Sequence, residues 1–328
     1  MLLRMSMAVA LLAVLCPVAI QAAENDKTPT YTDPSKAGPD YAVQGEYYGK
    51  LFTESGEGTW GVQVVALGKG QFMLVGYEGG LPGDGWKRGD RKETGHGERD
   101  GAVVRFSGDG WKGVLKDGKL TITSDDGEPG GTLKKIKRTS PTLGAKPPKG
   151  AVVLFDGSSA DQFQDGKIVM GNLLLAGCTS KRKFGDHSLH LEFRTPFKPE
   201  ARGQARGNSG VYIQSRYEIQ VLDSFGLEGE SNECGGIYKV AAPRVNMCYP
   251  PLTWQTYDVD FTAARYQNGK KIKNARITVK HNGVLILDNV ELPHETPGRI
   301  QEGPGPAPLY LQWHGNPVVY RNIWVVEK

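Results

Sequence analysis

The stretch GNSGVYIQSRYEIQVLDSFG, residues 207–226, contains two short runs in which apolar and polar residues alternate. In the second run, Glu218 and Gln220 fall on one face of an extended chain and Ile219 falls on the other. A period of two residues is typical of a β-strand that packs one face against a core. The run therefore predicts a strand that carries a carboxylate and an amide side by side on its polar face.

The same alternation appears in SLHLEFRT (188–195) and in LYLQWHG (309–315). The polar faces of these runs contain His190, Glu192 and Arg194 in the first and Tyr310, Gln312 and His314 in the second. Three such faces on one concave sheet would line a groove, although any half-exposed strand also alternates in this way. The side chains that we expect to converge on one face are Glu192, Arg194, Glu218, Gln220 and His314.

Short strand-like runs separated by turn-forming residues continue from Ala151 to the C-terminus. His281-Asn282-Gly283 contains the Asn-Gly pair that is typical of a two-residue hairpin. No stretch of twelve or more residues has helical periodicity. Residues 151–328 are therefore predicted to form an all-β domain, either a two-sheet sandwich or a jelly roll.

A smaller all-β domain is predicted over residues 41–138, where Asp117-Gly118 and Asp126-Gly127 are further hairpin signals. The glycines of residues 79–100, together with the charged run KRGDRKE, indicate one long exposed loop. The segments on either side of this domain are a polar, proline-rich leader without core residues at 23–40 and a linker at 139–150.

Residues 1–22, MLLRMSMAVALLAVLCPVAIQA, have the pattern of a secretory signal peptide. Arg4 precedes an apolar stretch, and Ala22 is a small residue at the expected cleavage site. A transmembrane anchor is the alternative, but Pro17 and Gln21 interrupt the apolar stretch. We expect a secreted or periplasmic protein that has no membrane contact after cleavage.

The chain has 40 Lys and Arg against 36 Asp and Glu, a formal charge of +4 over 328 residues. This balance is too even to indicate nucleic acid or an anionic membrane as a partner. Glycine and proline together make up about a fifth of the residues, which is typical of many tight turns between short strands. The pattern GxxxxGK[ST] does not occur, and we expect no nucleotide cofactor.

Removal of the signal peptide would leave Cys178, Cys234 and Cys248. Cys234 and Cys248 could close a loop and are predicted to form a disulfide, with three reduced thiols as the alternative. The chain has no CxxC and no Cys/His spacing that fits zinc. We therefore expect no metal or other cofactor, and a structural calcium ion has no support from the spacing of the acidic residues.

Seven motifs along the C-terminal half resemble a known family. They are LFDG (154–157), FGDHSLHLEFRT (184–195), GNSGVYIQSRYEIQVLDSFG (207–226), CGGIY (234–238), WQTYDVDF (254–261), ARITVKHNGVLILDNVEL (275–292) and HGNPVVYRNIWV (314–325). In this order they resemble the 3-keto-disaccharide hydrolase domain family over about residues 150–328. The resemblance implies a concanavalin A-like lectin/glucanase jelly roll that acts on a carbohydrate. The family usually has Gln-Asp-His-Gly-Asn-Pro where this chain has Trp313 between Gln312 and His314, so any role of that Asp is missing or displaced here.

The resemblance implies cleavage of 3-keto-glycosides. A ketone at C3 acidifies the hydrogen at C2, so a base can remove that proton and the resulting enolate can expel the substituent at C1, after which hydration restores the sugar. Such a reaction needs a base, donors for the enolate oxygen and an acid for the leaving group. Glu218 or Glu192 is the candidate base, and His314 is a candidate acid or base. The candidate substrate contacts are Arg194, Asn208, Tyr212, Gln220, Gln312 and Trp313.

Two other functions stay open. Residues 218–223 resemble the Glu-x-Asp-x-x-Glu signature of laminarinase-type β-glucanases, with Gln220 at the middle Asp and Asp223 at the last Glu. A retaining glycosidase needs its two carboxyl groups about 5–5.5 Å apart, whereas Glu218 and Asp223 face opposite ways on a regular strand. The other alternative is a non-catalytic, lectin-like carbohydrate-binding module whose main contacts would be Tyr212, Tyr310 and Trp313.

Overall fold

The computed structural model of the chain describes residues 28–53 and 56–328. The predicted signal peptide at 1–22 lies outside these residues. Over the described part of the chain, no helix is long and apolar enough to cross a bilayer. Strands are the main regular structure of the described residues, with one six-residue helix, α1 (Gly38–Val43), and two short 3₁₀ turns at Pro34–Lys36 and Gly203–Ala205.

Ten strands make up the N-terminal part of the structure. They are β1 (Gly45–Thr53), β2 (Gly56–Gly68), β3 (Gln71–Glu78), β4 (Leu81–Pro82), β5 (Gly85–Trp86), β6 (Lys92–Asp100), β7 (Val103–Gly108), β8 (Trp111–Lys116), β9 (Lys119–Ser124) and β10 (Pro129–Ile136). Eight of them close into an antiparallel barrel in the order β1-β10-β9-β8-β7-β6-β3-β2. Buried and exposed residues alternate along β7, which sends Val104 and Phe106 into the barrel core.

One end of the barrel is plugged by the segment that precedes it. Ala37, at the start of α1, and Phe197, from the C-terminal domain, are buried in the barrel core. Tyr31 exchanges two backbone hydrogen bonds of 2.9 Å with Phe197. Asp40 accepts a 3.0 Å hydrogen bond from the backbone of Gly70, at the β2–β3 turn. The expectation that residues 23–40 contribute nothing to the core is therefore wrong for their described part, residues 28–40.

The C-terminal part contains fifteen strands among the described residues. They are β11 (Val152–Phe155), β12 (Phe163–Gln164), β13 (Ile168–Val169), β14 (Leu173–Leu175), β15 (Cys178–Phe184), β16 (His187–Arg194), β17 (Ser209–Ile213), β18 (Tyr217–Val221), β19 (Gln255–Thr262), β20 (Arg265–Gln267), β21 (Lys270–Lys273), β22 (Ala275–His281), β23 (Val284–Leu292), β24 (Ala307–Leu311) and β25 (Val319–Glu327). Their apolar faces meet in one core, which includes Leu191 and Phe193 of β16, Ile219 of β18 and Leu311 of β24.

Thirteen of these strands form the two layers of a β-sandwich, and β20 and β21 form a separate two-stranded sheet. The larger sheet has the order β13-β14-β25-β16-β19-β22-β23, with β11 paired to β25. The smaller sheet has the order β12-β15-β24-β17-β18, so β18 is an edge strand. Since β16 belongs to the larger sheet and β18 to the smaller one, their outward faces lie on opposite sides of the sandwich.

The chain between the barrel and the sandwich covers the outer face of the larger sheet. The Ser140 hydroxyl lies 2.6 Å from that of Thr256, and the Thr142 hydroxyl donates to Asp258 at 2.7 Å. The backbone N–H of Gly144 donates to the Glu192 carboxylate at 2.6 Å. Residues 139–150, predicted as a linker, are thus held closely against the sheet.

A partly buried arginine joins the barrel to this connection. Arg138 pairs with Glu46 through its Nε at 2.8 Å and also donates to the carbonyl of Pro82 at 2.7 Å. Its guanidinium lies 5.2 Å from the ring centre of Tyr249, a residue of the C-terminal domain. Glu46 is only 2% exposed, so its charge depends on Arg138 for compensation.

We expect Arg138→Ala to lower the free energy of unfolding by about 3–5 kcal/mol, because the substitution leaves the carboxylate of Glu46 buried without its counter-ion. Urea unfolding followed by circular dichroism would measure this loss. Lys137→Ala is the matched control: it removes an exposed cation one residue away and should change stability by less than about 0.5 kcal/mol. Equal effects of the two substitutions would contradict the role of the buried pair.

Candidate active site

Glu218 lies on the outer face of the smaller sheet, in a row of polar and aromatic side chains. Its direct neighbour across the strands is Tyr212 on β17, which pairs in turn with Tyr310 on β24 and then with Thr179 on β15. Alternation places this row opposite the buried Ile219. The sequence prediction that Glu218 shares a face with other polar residues is confirmed for this sheet.

A second row lies beside the first. Gln220 pairs with Gly210, and the backbone N–H of Gln312 donates to the carbonyl of Gly210 at 2.9 Å. A Cβ atom at Gly210 would lie 2.3 Å from Oε1 of Glu218 and 2.9 Å from a ring carbon of Tyr212. Any larger residue at position 210 would therefore displace the Glu218 carboxyl group.

The Glu218 carboxyl group is buried without strong compensation. It is 5% exposed, and removal from water raises its pKa to about 7, an effect that the hydrogen bond with Tyr212 opposes only in part. Burial and the neighbouring carboxylate raise the pKa of Tyr212 well above its ordinary value. Glu218 can therefore exchange a proton near neutral pH, whereas Tyr212 is a neutral hydroxyl in the resting protein.

Three amide side chains around Glu218 have an oxygen atom without a partner among the described residues. These atoms are Oδ1 of Asn208, Oε1 of Gln220 and Oε1 of Gln312. Their amide nitrogens are engaged: Asn208 donates to Gln204 at 2.9 Å, and Gln312 donates to the Tyr212 hydroxyl at 3.3 Å. Buried polar atoms usually have partners, so a cluster of unpaired ones indicates a place for polar groups of a ligand.

An irregular segment covers part of this face. The Thr296 hydroxyl accepts a 2.9 Å hydrogen bond from the backbone N–H of Glu218, and the Tyr212 hydroxyl donates to the carbonyl of Pro297 at 3.0 Å. Arg299 stacks over Tyr310 at 4.3 Å from the ring centre. The sequence did not predict that Gly210 and Thr296 belong to this site. A glycine in the sequence is usually read as a turn residue, and Thr296 lies 78 residues from Glu218 along the chain.

His314 and Trp313 lie beyond the end of a strand. β24 ends at Leu311, and both residues occupy the exposed turn that follows. The strand alternation that placed His314 beside Gln312 therefore does not extend to it, and that part of the predicted geometry is wrong. Within this turn it is Asn316 that is buried, where its side chain accepts a 2.9 Å hydrogen bond from Lys198.

Glu192 and Arg194 lie on the opposite side of the sandwich from Glu218, so the predicted convergence of these side chains on one face is wrong. The Glu192 carboxylate accepts hydrogen bonds from Gly144 (2.6 Å), Arg321 (2.6 Å) and Asn322 (2.9 Å). Burial alone would raise its pKa, but His190 and these donors lower it to about 2. Glu192 is thus a fixed anion under the linker.

Arg194 packs at the edge of the Glu192 face. Its guanidinium lies 5.1 Å from the ring centre of Trp254, and it donates to the carbonyl of Thr32 at 3.3 Å. These contacts tie the leader to the sandwich. They do not bring Arg194 to Glu218, because the two strands belong to different sheets.

Asp223, the other carboxylate of the glucanase-like signature, pairs with a buried arginine. Nε of Arg206 donates to its Oδ2 at 2.7 Å, and both side chains are nearly inaccessible. Arg206 also donates to the carbonyl of Ala66 in the barrel at 3.2 Å. Asp223 therefore joins the domains, and its carboxylate already has a counter-ion.

The three described cysteines are free and buried. The predicted disulfide between Cys234 and Cys248 is therefore wrong, and the alternative of reduced thiols applies. Sγ of Cys234 lies 3.2 Å from the Tyr257 hydroxyl, and Sγ of Cys248 faces the carbonyl of Leu222 at 3.5 Å. The described residues contain no group of three or more His, Cys, Asp or Glu that could hold a metal ion.

Comparison with known proteins gives one family match, to a model described as "3-keto-alpha-glucoside-1,2-lyase-like domain", over residues 150–326. Comparison with curated proteins yields no match. A solved structure from Parabacteroides distasonis ATCC 8503, described as a "putative glycosyl hydrolase", is 29% identical with a TM-score of 0.51. The alignment covers 55% of this chain and 85% of that chain.

Two further structures of the same organism and description are similar at lower identity. One is 16% identical and the other 20%, each with a TM-score of 0.39. The alignments cover 55% and 54% of this chain, and 94% and 99% of the two other chains.

We expect Glu192→Gln to lower stability at pH 7 by roughly 2–5 kcal/mol, because it removes a buried, paired anion. The folded pKa of about 2 lies below the ordinary glutamate value of 4.5, so the stabilisation is complete above pH 4.5 and is lost as the pH falls towards 2. Urea unfolding of variant and wild type at pH 7 and pH 3 measures the difference between their free energies of unfolding, which should be smaller at pH 3. An equal difference at both pH values would contradict the assignment of Glu192 as a buried anion with a lowered pKa. Glu98→Gln, at an exposed site, is the control.

Proposed function

Because the chain belongs to the 3-keto-alpha-glucoside-1,2-lyase-like domain family, as its motifs predicted, we propose that it is an exported enzyme that cleaves 3-keto-glycosides with Glu218 as the base. The signal-like residues 1–22 support export. The observation that carries the catalytic proposal is the burial of Glu218, which raises its pKa to about 7. A general base is most effective when its pKa lies near the working pH.

The proposed reaction begins with transfer of the C2 proton of the 3-keto sugar to Glu218. The electron pair of the C–H bond moves into the enolate, the C1–O bond then breaks, and the leaving oxygen takes a proton from the Tyr212 hydroxyl. Glu218 returns the C2 proton to Tyr212 through their hydrogen bond, which restores both groups. Addition of water across the double bond of the sugar would complete the hydrolysis.

The amide side chains are proposed to position the sugar. The NH₂ groups of Asn208, Gln220 and Gln312 are neutral donors of the kind that holds an enolate oxygen. Their unpaired oxygens would accept hydrogen bonds from sugar hydroxyls. Neutral groups suit this task, because a cation next to Glu218 would lower its pKa and weaken it as a base.

A laminarinase-type mechanism has less support. It needs a second carboxylate close to the first, and Asp223 is engaged by Arg206. Glu192 cannot replace it, since it lies on the other side of the sandwich. A lectin-like role without turnover is the remaining alternative, and the exposed Trp313 is compatible with it.

We expect Glu218→Gln to lower kcat on a 3-keto disaccharide by about 10²–10⁴-fold, the usual contribution of a positioned base, with little change in binding. Release of reducing sugar measures turnover, and the unoxidised parent disaccharide should not be cleaved. Glu291→Gln, at an exposed position of β23, is the matched control and should retain activity. Sugar binding by the wild-type protein without any turnover would favour the lectin-like alternative.

Deuterium incorporation would identify the carbon atom from which the proton is removed. In deuterated water, elimination followed by hydration should place deuterium at C2 of the released 3-keto sugar. Cleavage without deuterium at C2, under conditions where the product itself does not exchange, would contradict abstraction by Glu218. The wild-type kcat/KM should also fall about tenfold per pH unit below pH 7, as the base becomes protonated.

Burial of Glu218 also predicts a stability effect of the opposite sign to that of Glu192. Its folded pKa of about 7 exceeds the ordinary glutamate value of 4.5, so stability is lost as the pH rises from 4.5 through 7. Glutamine does not ionise, and Glu218→Gln should therefore be more stable than the wild type at pH 8, by on the order of 3 kcal/mol. Thermal unfolding at pH 8 and pH 4.5 would test this, and the difference should shrink at pH 4.5.

A further inference from the structure

Within residues 28–53 and 56–328, one end of the barrel is plugged and the other is open. At the end opposite α1, a cavity of about 430 Å³ lies between the strand ends. Leu51 and Leu74 of the barrel core contribute to its lining. Mouths of small closed barrels are common ligand sites, because a rigid wall surrounds a sheltered space.

Two tryptophans line this cavity, Trp60 and Trp111. Trp111 lies directly over two glycines: a Cβ atom at Gly95 would be 2.5 Å from its ring, and one at Gly108 would be 2.2 Å away. The indole N–H of each tryptophan is buried and has no hydrogen-bond partner among the described residues. An unpaired buried donor is costly, so two of them in one cavity wall indicate acceptors that come from outside the chain.

The rim of the cavity is polar and on balance negative. Arg91 pairs with Glu93 at 2.9 Å, and the carboxylates of Asp109 and Glu128 add further negative charge. This charge opposes an anionic ligand. Carboxylates accept hydrogen bonds from hydroxyl groups, and indole rings offer both a flat apolar face and a donor.

We infer that the open mouth of the barrel is a second carbohydrate-binding site, which takes an uncharged sugar ring. Such a ring presents C–H groups to the face of Trp111, hydroxyl oxygens to the indole N–H groups and hydroxyl hydrogens to the carboxylates. This site lies in the barrel, whereas Glu218 lies on the smaller sheet of the sandwich. The inference does not rest on the proposed catalytic function.

The test observes the indole N–H groups directly, in a ¹⁵N-labelled full chain titrated with maltose and, separately, with cellobiose. The chain has six tryptophans, and substitution of each by Phe assigns its signal. The N–H signals of Trp60 and Trp111 should move downfield and saturate with at least one of the two sugars. Trp86 and Trp324, which donate to backbone carbonyls at 3.3 Å, are internal controls and should not move.

Two substitutions separate stacking from hydrogen bonding. Trp111→Phe keeps an aromatic face but loses the N–H, and it should weaken binding several-fold, whereas Trp111→Ala should abolish the shift at Trp60. If neither signal moves up to the solubility limit of both sugars, the inference is overturned. It is also overturned if only Trp313 responds, or if the two signals respond to the apolar anion 1-anilinonaphthalene-8-sulfonate but not to sugar. Because the wild-type titration needs neither turnover nor a foldable variant, failure of the catalytic proposal would leave it unaffected.

Discussion

The burial of alternating apolar residues between two sheets is the constraint on which the rest of the structure depends. Leu191 enters the core from the larger sheet, and Ile219 and Leu311 enter it from the smaller one. Because successive residues of a strand face opposite ways, the polar neighbours of these residues leave the sandwich in opposite directions. Glu192 and Glu218 are therefore separated by the full thickness of the core, although each is at least nine-tenths buried.

Different surroundings shift the pKa values of these two carboxylates in opposite directions. The connection from the barrel crosses the outer face of the larger sheet and supplies the Gly144 N–H to Glu192, while Arg321 supplies a positive charge. The face of Glu218 is covered instead by Thr296 and its neighbours, which satisfy backbone groups but leave the carboxylate with a neutral hydroxyl. One pKa lies at about 2 and the other at about 7. The route of the connection thus covers the carboxylate of Glu192 and leaves that of Glu218, the proposed base, without a counter-ion.

Local features were predictable from the sequence where local physics determines them. Asp117-Gly118 and Asn282-Gly283 form the expected hairpin turns, with positive φ at all four residues. The assignment of faces within β16 and β18 was also correct, but alternation cannot tell which sheet a strand joins. The prediction of one long loop over residues 79–100 is wrong for β6, because Gly95 lies under Trp111 and occupies a position where a strand pattern requires an apolar residue. The linker covers the outer face of the larger sheet, and this choice depends on contacts between residues far apart in the sequence. No local motif could therefore predict it.

The polar atoms around Glu218 that have no hydrogen-bond partner contrast with Asp223, another buried carboxylate of the same domain, which is paired with Arg206. A lysine or arginine at the position of Gln220 would compensate the buried carboxylate and stabilise the protein, as Arg206 does for Asp223. It would also lower the pKa of Glu218 and remove its capacity to take up a proton near pH 7. Amides cannot neutralise the charge, so they leave that capacity intact while still offering donors and acceptors to a sugar. The destabilisation expected from Glu218 at neutral pH and its proposed role in proton abstraction therefore have the same physical cause, a carboxylate withdrawn from water without a counter-ion.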